Sequence, residues 1–173
     1  MFILIGNILS LIAATFMAVS SLAKRRSVIF TLQFFECFIL AVASFFFSSY
    51  AAIATLLLCA IRNLLTAKDM FGKKMMYIFF ILTAVLGIIT NNRGIIGLLP
   101  VIATLQYTVC SHIFKGLFLT RISIFVNTAI WVIYSFIIKD FSTGIVDSVV
   151  LLTTTFGIIK LLIDIKKDKA CTK

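Results

Sequence analysis

The chain has 173 residues, 62% hydrophobic and 13% charged, with sixteen Lys and Arg against six Asp and Glu for a formal charge of +10. Soluble domains hold about 45–50% apolar and about 25% charged residues, so this composition excludes an ordinary water-soluble domain. A single Pro and eight Gly exclude long disordered linkers.

Seven apolar stretches fill nearly the whole chain: 2–23, 27–49, 50–67, 75–90, 95–114, 117–139 and 144–165. A hydrocarbon core about 30 Å thick needs roughly 20 helical residues at about 1.5 Å each. Two stretches lie near the lower limit, which leaves six crossings as the alternative count. The expected fold class is an all-α, polytopic membrane helical bundle, one transmembrane domain over 1–173.

Span one carries Gly6, Ser10, Ala14 and Ala18 at intervals of four, a small-residue ridge that lets a neighbouring helix approach. Asn7 lies beside it, and packing and cavity lining are equal readings for it. Nothing basic precedes Phe2, whereas Lys24, Arg25 and Arg26 follow the span; that order predicts a retained helix rather than a signal peptide. In span two, Gln33 and Glu36 sit one turn apart near the centre, where an unpaired polar side chain costs several kcal/mol. Glu36 has three roles open to it: proton coupling, a buried pair with Arg121, or lining a wet cavity.

Span three closes near Arg62, which is expected to snorkel to the interface, as are Arg121 and Lys160. Span four has neither polar stripe nor internal ion and reads as a connector. Span five presents Gly97, Thr104, Thr108 and Ser111 along one face, with Gln106 and Tyr107 to the side. It holds Pro100, which removes a backbone donor and marks a bend or hinge. His112, the only histidine, reads as structural. Span six has the clearest pattern: Thr120, Ser123, Asn127, Trp131 and Tyr134 recur at spacings of three and four and share one face. Trp131 lies near mid-span rather than in a headgroup belt, and an aromatic plane beside an amide suits a solute cavity. Asp147, opening span seven, is expected to cap that helix.

The basic residues do not line one face, as a nucleic-acid surface requires. They crowd alternate turns at Lys24–Arg26, Lys68–Lys74, Lys115 and the tail 166–173, leaving Arg93 and Lys139 at the other side. The positive-inside rule then puts the N-terminus outside and the C-terminus in the cytoplasm. The four cysteines show no Cys-x-x-Cys spacing and read as packing residues, with no zinc site and no disulfide framework. With no second histidine, phosphate loop or Ser-His-Asp set, neither an enzyme nor a cofactor is expected.

The turns divide the chain as three spans (1–67), a linker helix (75–91) and three spans (95–165). With the linker, both triplets start outside and run parallel, a repeat type known among transporters. Four blocks carry a resemblance: Cys59-Ala-Ile-Arg-Asn-Leu-Leu-Thr66, Leu98-Leu-Pro-Val-Ile-Ala-Thr104, Lys115-Gly-Leu, and Asn127-Thr-Ala-Ile-Trp-Val-Ile-Tyr134. Their order and spacing resemble the YgjV family of bacterial inner-membrane proteins, which implies that location and no particular reaction. More distantly, the chain is similar to the SWEET and PQ-loop transporter group, whose Asn-x-x-x-Trp-x-x-Tyr pattern Asn127, Trp131 and Tyr134 fit. That likeness implies a solute pocket between two three-helix units.

The expected function is a transporter or facilitator for a small, uncharged or weakly charged solute. Asn127, Trp131, Tyr134, Asn7, Ser123 and Thr104 would line the pocket, and Pro100 would assist rocking. The alternative is a non-transporting assembly or sensor protein whose polar faces only pack helices. The expected partners are the lipid bilayer, the solute and, through the small-residue ridge, a second copy of the chain.

Overall fold

The computed structural model describes residues 2–23, 25–113 and 117–171, without the side chains of 21, 22, 26, 111, 117, 120, 160, 161 and 164–171. Lys24 and Lys115, and the side chains of Ser111, Thr120, Lys160 and the tail lysines, therefore lie outside the described residues. The helices are α1 (Phe2–Leu22), α2 (Arg26–Phe46), α3 (Tyr50–Ala67), α4 (Lys73–Ile89), α5 (Gly94–Ile113), α6 (Leu117–Ile138) and α7 (Phe141–Cys171). Among the described residues there is no strand. Among the described residues, five helices, α1, α2, α3, α6 and α7, are long and apolar enough to cross a membrane. The other two offer shorter described apolar stretches: α4 has 17 residues, and that of α5 is Gly94–Cys110.

The turns explain where the helices stop. Ser48, Asp69 and Lys139 take positive φ values of 51°, 54° and 67°. One residue later the backbone N–H reaches back across the helix end: Ser49 to Ser44 at 3.1 Å, Met70 to Leu65 at 2.8 Å, and Asp140 to Ser135 at 2.9 Å. These are left-handed C-terminal caps, which satisfy carbonyls that would otherwise be orphaned. The turns after α2 and after α6 thus share one geometry, and each helix that follows restarts within two residues of the left-handed residue.

Helix contacts among the described residues run α1–α2–α3–α5–α6–α7 and close from α7 back to α1, while α4 packs on α3 and α5 from outside. Exchanging α1, α2, α3 for α5, α6, α7 maps this contact pattern of the ring onto itself. Small residues permit the close approaches. Gly6 of α1 faces the Phe47 ring, where a Cβ would stand 2.7 Å from Cζ, and Gly87 of α4 abuts Val101 of α5. Gly6, Ser10 and Ala14 of the expected ridge are buried, whereas Ala18 is exposed. Alanines 41, 43, 51, 52 and 60 pack α2 against α3.

The apolar surface points outward, as it must in lipid. Phe2, Leu4, Ile8 and Leu11 of α1 and Ile81, Val85, Ile88 and Ile89 of α4 are all exposed. Small hydroxyl residues face inward instead. Thr55, Thr66 and Thr108 donate to carbonyls one turn back, Ala51, Arg62 and Thr104 respectively, at 2.7–2.9 Å. A hydroxyl satisfied on its own helix can be buried at little cost where no water reaches.

Candidate functional site

A cavity of about 70 Å³ lies inside the ring of six helices, each of which contributes to its wall. That is room for a few waters or a small solute. Apolar groups Met17, Leu40, Leu56 and Ile124 make part of the lining. The rest is polar: Gln33 and Glu36 from α2, Arg62 and Asn63 from α3, Tyr107 from α5, Asn127 and Thr128 from α6, and Asp147 from α7.

Arg62 departs from the snorkelling expected of it. It is 2% exposed, and its Nη1 donates to Thr108 Oγ1 at 2.9 Å. Its Nε and Nη2 donate to Asn63 Oδ1 at 3.3 and 3.0 Å. The guanidinium also lies 4.9 Å from the centre of the Tyr107 ring. Inward acceptors and an aromatic face replace the interfacial water, so the side chain turns into the bundle.

The carboxyls are also rearranged relative to expectation. Asp147 does not cap α7, because the helix begins earlier, at Phe141. The cap is Asp140, whose Oδ1 accepts the Thr143 backbone N–H at 3.1 Å while its Oδ2 accepts the Ser10 hydroxyl at 2.9 Å. Burial holds the Asp140 carboxyl above the usual carboxylate range, against the opposing pull of hydrogen bonds from Thr143 and Ser10. Asp147 lies two turns into α7 and reaches the cavity, as Glu36 does from α2. Neither carboxyl has a hydrogen-bond or ion-pair partner among the described residues. Glu36 does not pair with Arg121: α2 and α6 are not neighbours in the ring, and the Arg121 guanidinium rests against Gly157 of α7.

Of the residues expected to line a pocket, the cavity takes Asn127 and Trp131. Asn127 has no hydrogen-bond partner among the described residues, and the Trp131 ring meets Tyr134 edge-on at 5.8 Å. The other four are placed elsewhere. Tyr134, 1% exposed, hydrogen-bonds Ser49. Ser123 accepts Gln106 Nε2 at 3.2 Å between α5 and α6. Thr104 accepts the Cys59 thiol at 3.6 Å between α3 and α5. Asn7 latches the α6–α7 turn: its Nδ2 donates to the Lys139 carbonyl at 3.2 Å, and its Oδ1 accepts the Ser142 N–H at 3.0 Å. Pro100 is buried inside an unbroken α5.

Gln33, Cys37 and Cys59 are visible in the sequence, but their place in a cavity wall is not. Gln33 is 8% exposed and its Oε1 has no hydrogen-bond partner. Cys37 and Cys59 lie in the wall as free thiols, with Asn63 Nδ2 donating to Cys37 Sγ at 3.6 Å. Among the described residues, no group of three or more His, Cys, Asp or Glu could hold a metal ion.

The end of the bundle that carries Arg93 and Lys139 is stitched together by hydrogen bonds between its turns. Asn92 Nδ2 donates to the Ser48 carbonyl at 2.8 Å, Arg93 Nη2 donates to the Phe47 carbonyl, and Tyr134 meets Ser49. Phe47, 4% exposed, fills the space over Gly6. These contacts tie the α2–α3 turn to the α4–α5 turn and to α6.

The model of a bacterial inner membrane protein family, Imp-YgjV, matches residues 4–164. The chain belongs to that family. Membrane-crossing helices with lipid-facing apolar surfaces are what such a location requires. No curated protein and no solved structure matches the chain.

Proposed function

We propose that this family member is a small-solute transporter or facilitator whose solute occupies the cavity inside the ring. One observation carries the reading: Glu36, Asn127 and Asp147 line a common cavity without hydrogen-bond partners among the described residues, and the Oε1 of Gln33, a fourth lining residue, is buried without one. In hydrocarbon, such groups are costly unless water or a ligand satisfies them. The exchangeable contact pattern of the two helix triplets, with α4 outside the ring, supports a SWEET-like 3+1+3 arrangement with the pocket between the units. The stitched end supports a resting state closed on the sparsely charged side, with Pro100 as the pivot in α5. By the charge asymmetry, that side is the periplasmic one.

The rival reading is a non-transporting assembly or sensor protein. It is favoured by the interhelical hydrogen bonds that already occupy Asn7, Ser123, Thr104 and Tyr134. Cysteine labelling separates the two. In a chain whose native cysteines are replaced, Asn127→Cys is expected to react with a water-borne thiol reagent and Ser123→Cys to stay silent. Silence at position 127 from both sides of the membrane, with vesicle uptake no greater than in empty vesicles, removes the transport reading.

A further inference from the structure

We infer that the cavity binds a small organic cation, a protonated amine or guanidinium group held between Glu36 and Asp147. The inference rests on reading the cavity as a solute site and adds the charge class of the solute. Glu36 comes from α2 and Asp147 from α7, and both line the same space. These two elements do not touch in the ring, so the two carboxyls belong to separate parts of the cavity wall rather than to one helix. Two carboxyls sharing a small, dry space cannot both be ionised unless a cation lies between them; without one, at least one keeps its proton.

An independent observation points the same way. Gln33, on the same face of α2 one turn from Glu36, is more than nine-tenths buried, and its Oε1 has no partner. An orphaned carbonyl oxygen needs a donor, and Asn127 adds an amide with no hydrogen-bond partner among the described residues. The wall thus offers two carboxyls and a carbonyl oxygen as acceptors, the pattern that N–H groups satisfy. Among the described residues Arg62 is the one cation in the lining, and its N–H groups are directed to Asn63 and Thr108. The two carboxyls outnumber it. Trp131 and Tyr107 supply aromatic rings, and Leu40, Leu56 and Ile124 supply apolar wall. Organic cations gain from both, whereas an alkali ion gains nothing from the apolar wall and must give up tightly held water to enter.

Trp131 is the only tryptophan in the chain and lines the cavity, so its fluorescence reports on occupancy directly. The full-length protein in detergent is titrated at constant ionic strength with methylammonium and guanidinium chloride at millimolar levels. Urea, which resembles guanidinium in shape but is neutral, and sodium chloride are the controls. Saturable quenching or shift with the two organic cations, absent with urea and sodium, is the expected result. Glu36→Gln and Asp147→Asn are each expected to weaken it at least tenfold. A saturable response to urea equal to that of guanidinium, or to sodium alone, overturns the charge assignment while leaving a solute site in place. No response to any probe also overturns it, and the labelling of position 127 then decides the broader transport reading separately. The wild-type comparison of guanidinium with urea stands whether or not either variant folds.

Discussion

Asn63→Leu tests the burial of Arg62 most sharply. Asn63 is 1% exposed, so leucine keeps the volume while removing the acceptor of two guanidinium hydrogen bonds, at 3.0 and 3.3 Å. Hydrogen bonds to charged groups contribute about 1.5–3 kcal/mol each, and an unsatisfied buried charged donor costs more than its bond was worth. The longer of the two bonds is the weaker, and the guanidinium keeps Thr108 and the Tyr107 ring. The expected loss is therefore about 2–4 kcal/mol. Arg62→Met should cost less, because it removes the buried charge together with its desolvation penalty. Thr108 stays satisfied in that variant through its own bond to the Thr104 carbonyl. Adding Arg62→Met to Asn63→Leu should recover at least half of the loss. The assay is reversible unfolding in mixed micelles, followed by Trp131 emission. A loss below about 0.5 kcal/mol for Asn63→Leu would mean that the guanidinium reaches water at the interface; Arg62→Met costing more than Asn63→Leu would equally refute the argument.

Gly6→Ala places a Cβ 2.7 Å from Phe47 Cζ, so it should destabilise by about 1–3 kcal/mol of overpacking, with Phe47→Leu in the same chain relieving most of it in the same unfolding assay. Tyr134→Phe removes the buried bond to Ser49 at about 0.5–1.5 kcal/mol; if that end gates the cavity, labelling of Asn127→Cys from the periplasmic side should rise. Asp140 lies outside the membrane-spanning segments, and burial raises its carboxyl above the usual range. Its contribution is therefore full below the unfolded-state pKa of about 3.9 and is lost as pH rises through the folded-state value. Asp140→Asn should flatten that part of the stability–pH curve, and an unchanged curve would exclude the buried cap. A reporter fused after Lys173 should be active only on the cytoplasmic side; activity in the periplasm would invert the orientation.

Several of these tests concern positions at which sequence and structure part. Asp147 sits at the edge of an apolar stretch, where a cap is the ordinary role. Only the left-handed turn at Lys139 moves the helix start back to Phe141 and makes Asp140 the cap instead. The polar stripe of α6 was legible as one face, but its members divide by depth. Ser123 and Tyr134 meet neighbouring groups at the two ends, while Asn127 and Trp131 meet the cavity between them. Asn7 could have been read either way, and only a partner 132 residues distant shows it to be a latch.

Helix number, the approximate place of each helix and the sorting of charge to alternate turns are local properties. Hydropathy, length and the position of lysines and arginines determine them residue by residue, and the family blocks lie on the same line of sequence. Which face of each helix turns inward was decided only by tertiary packing. In lipid, leucine and isoleucine gain nothing by facing one another, so helices that are apolar all round carry little signal for the inner face. The inward turn of Arg62, the placing of Glu36 and Asp147 in the wall of one cavity, and the exclusion of α4 from the ring follow from glycine and alanine approaches and from acceptors on other helices, which no single segment contains.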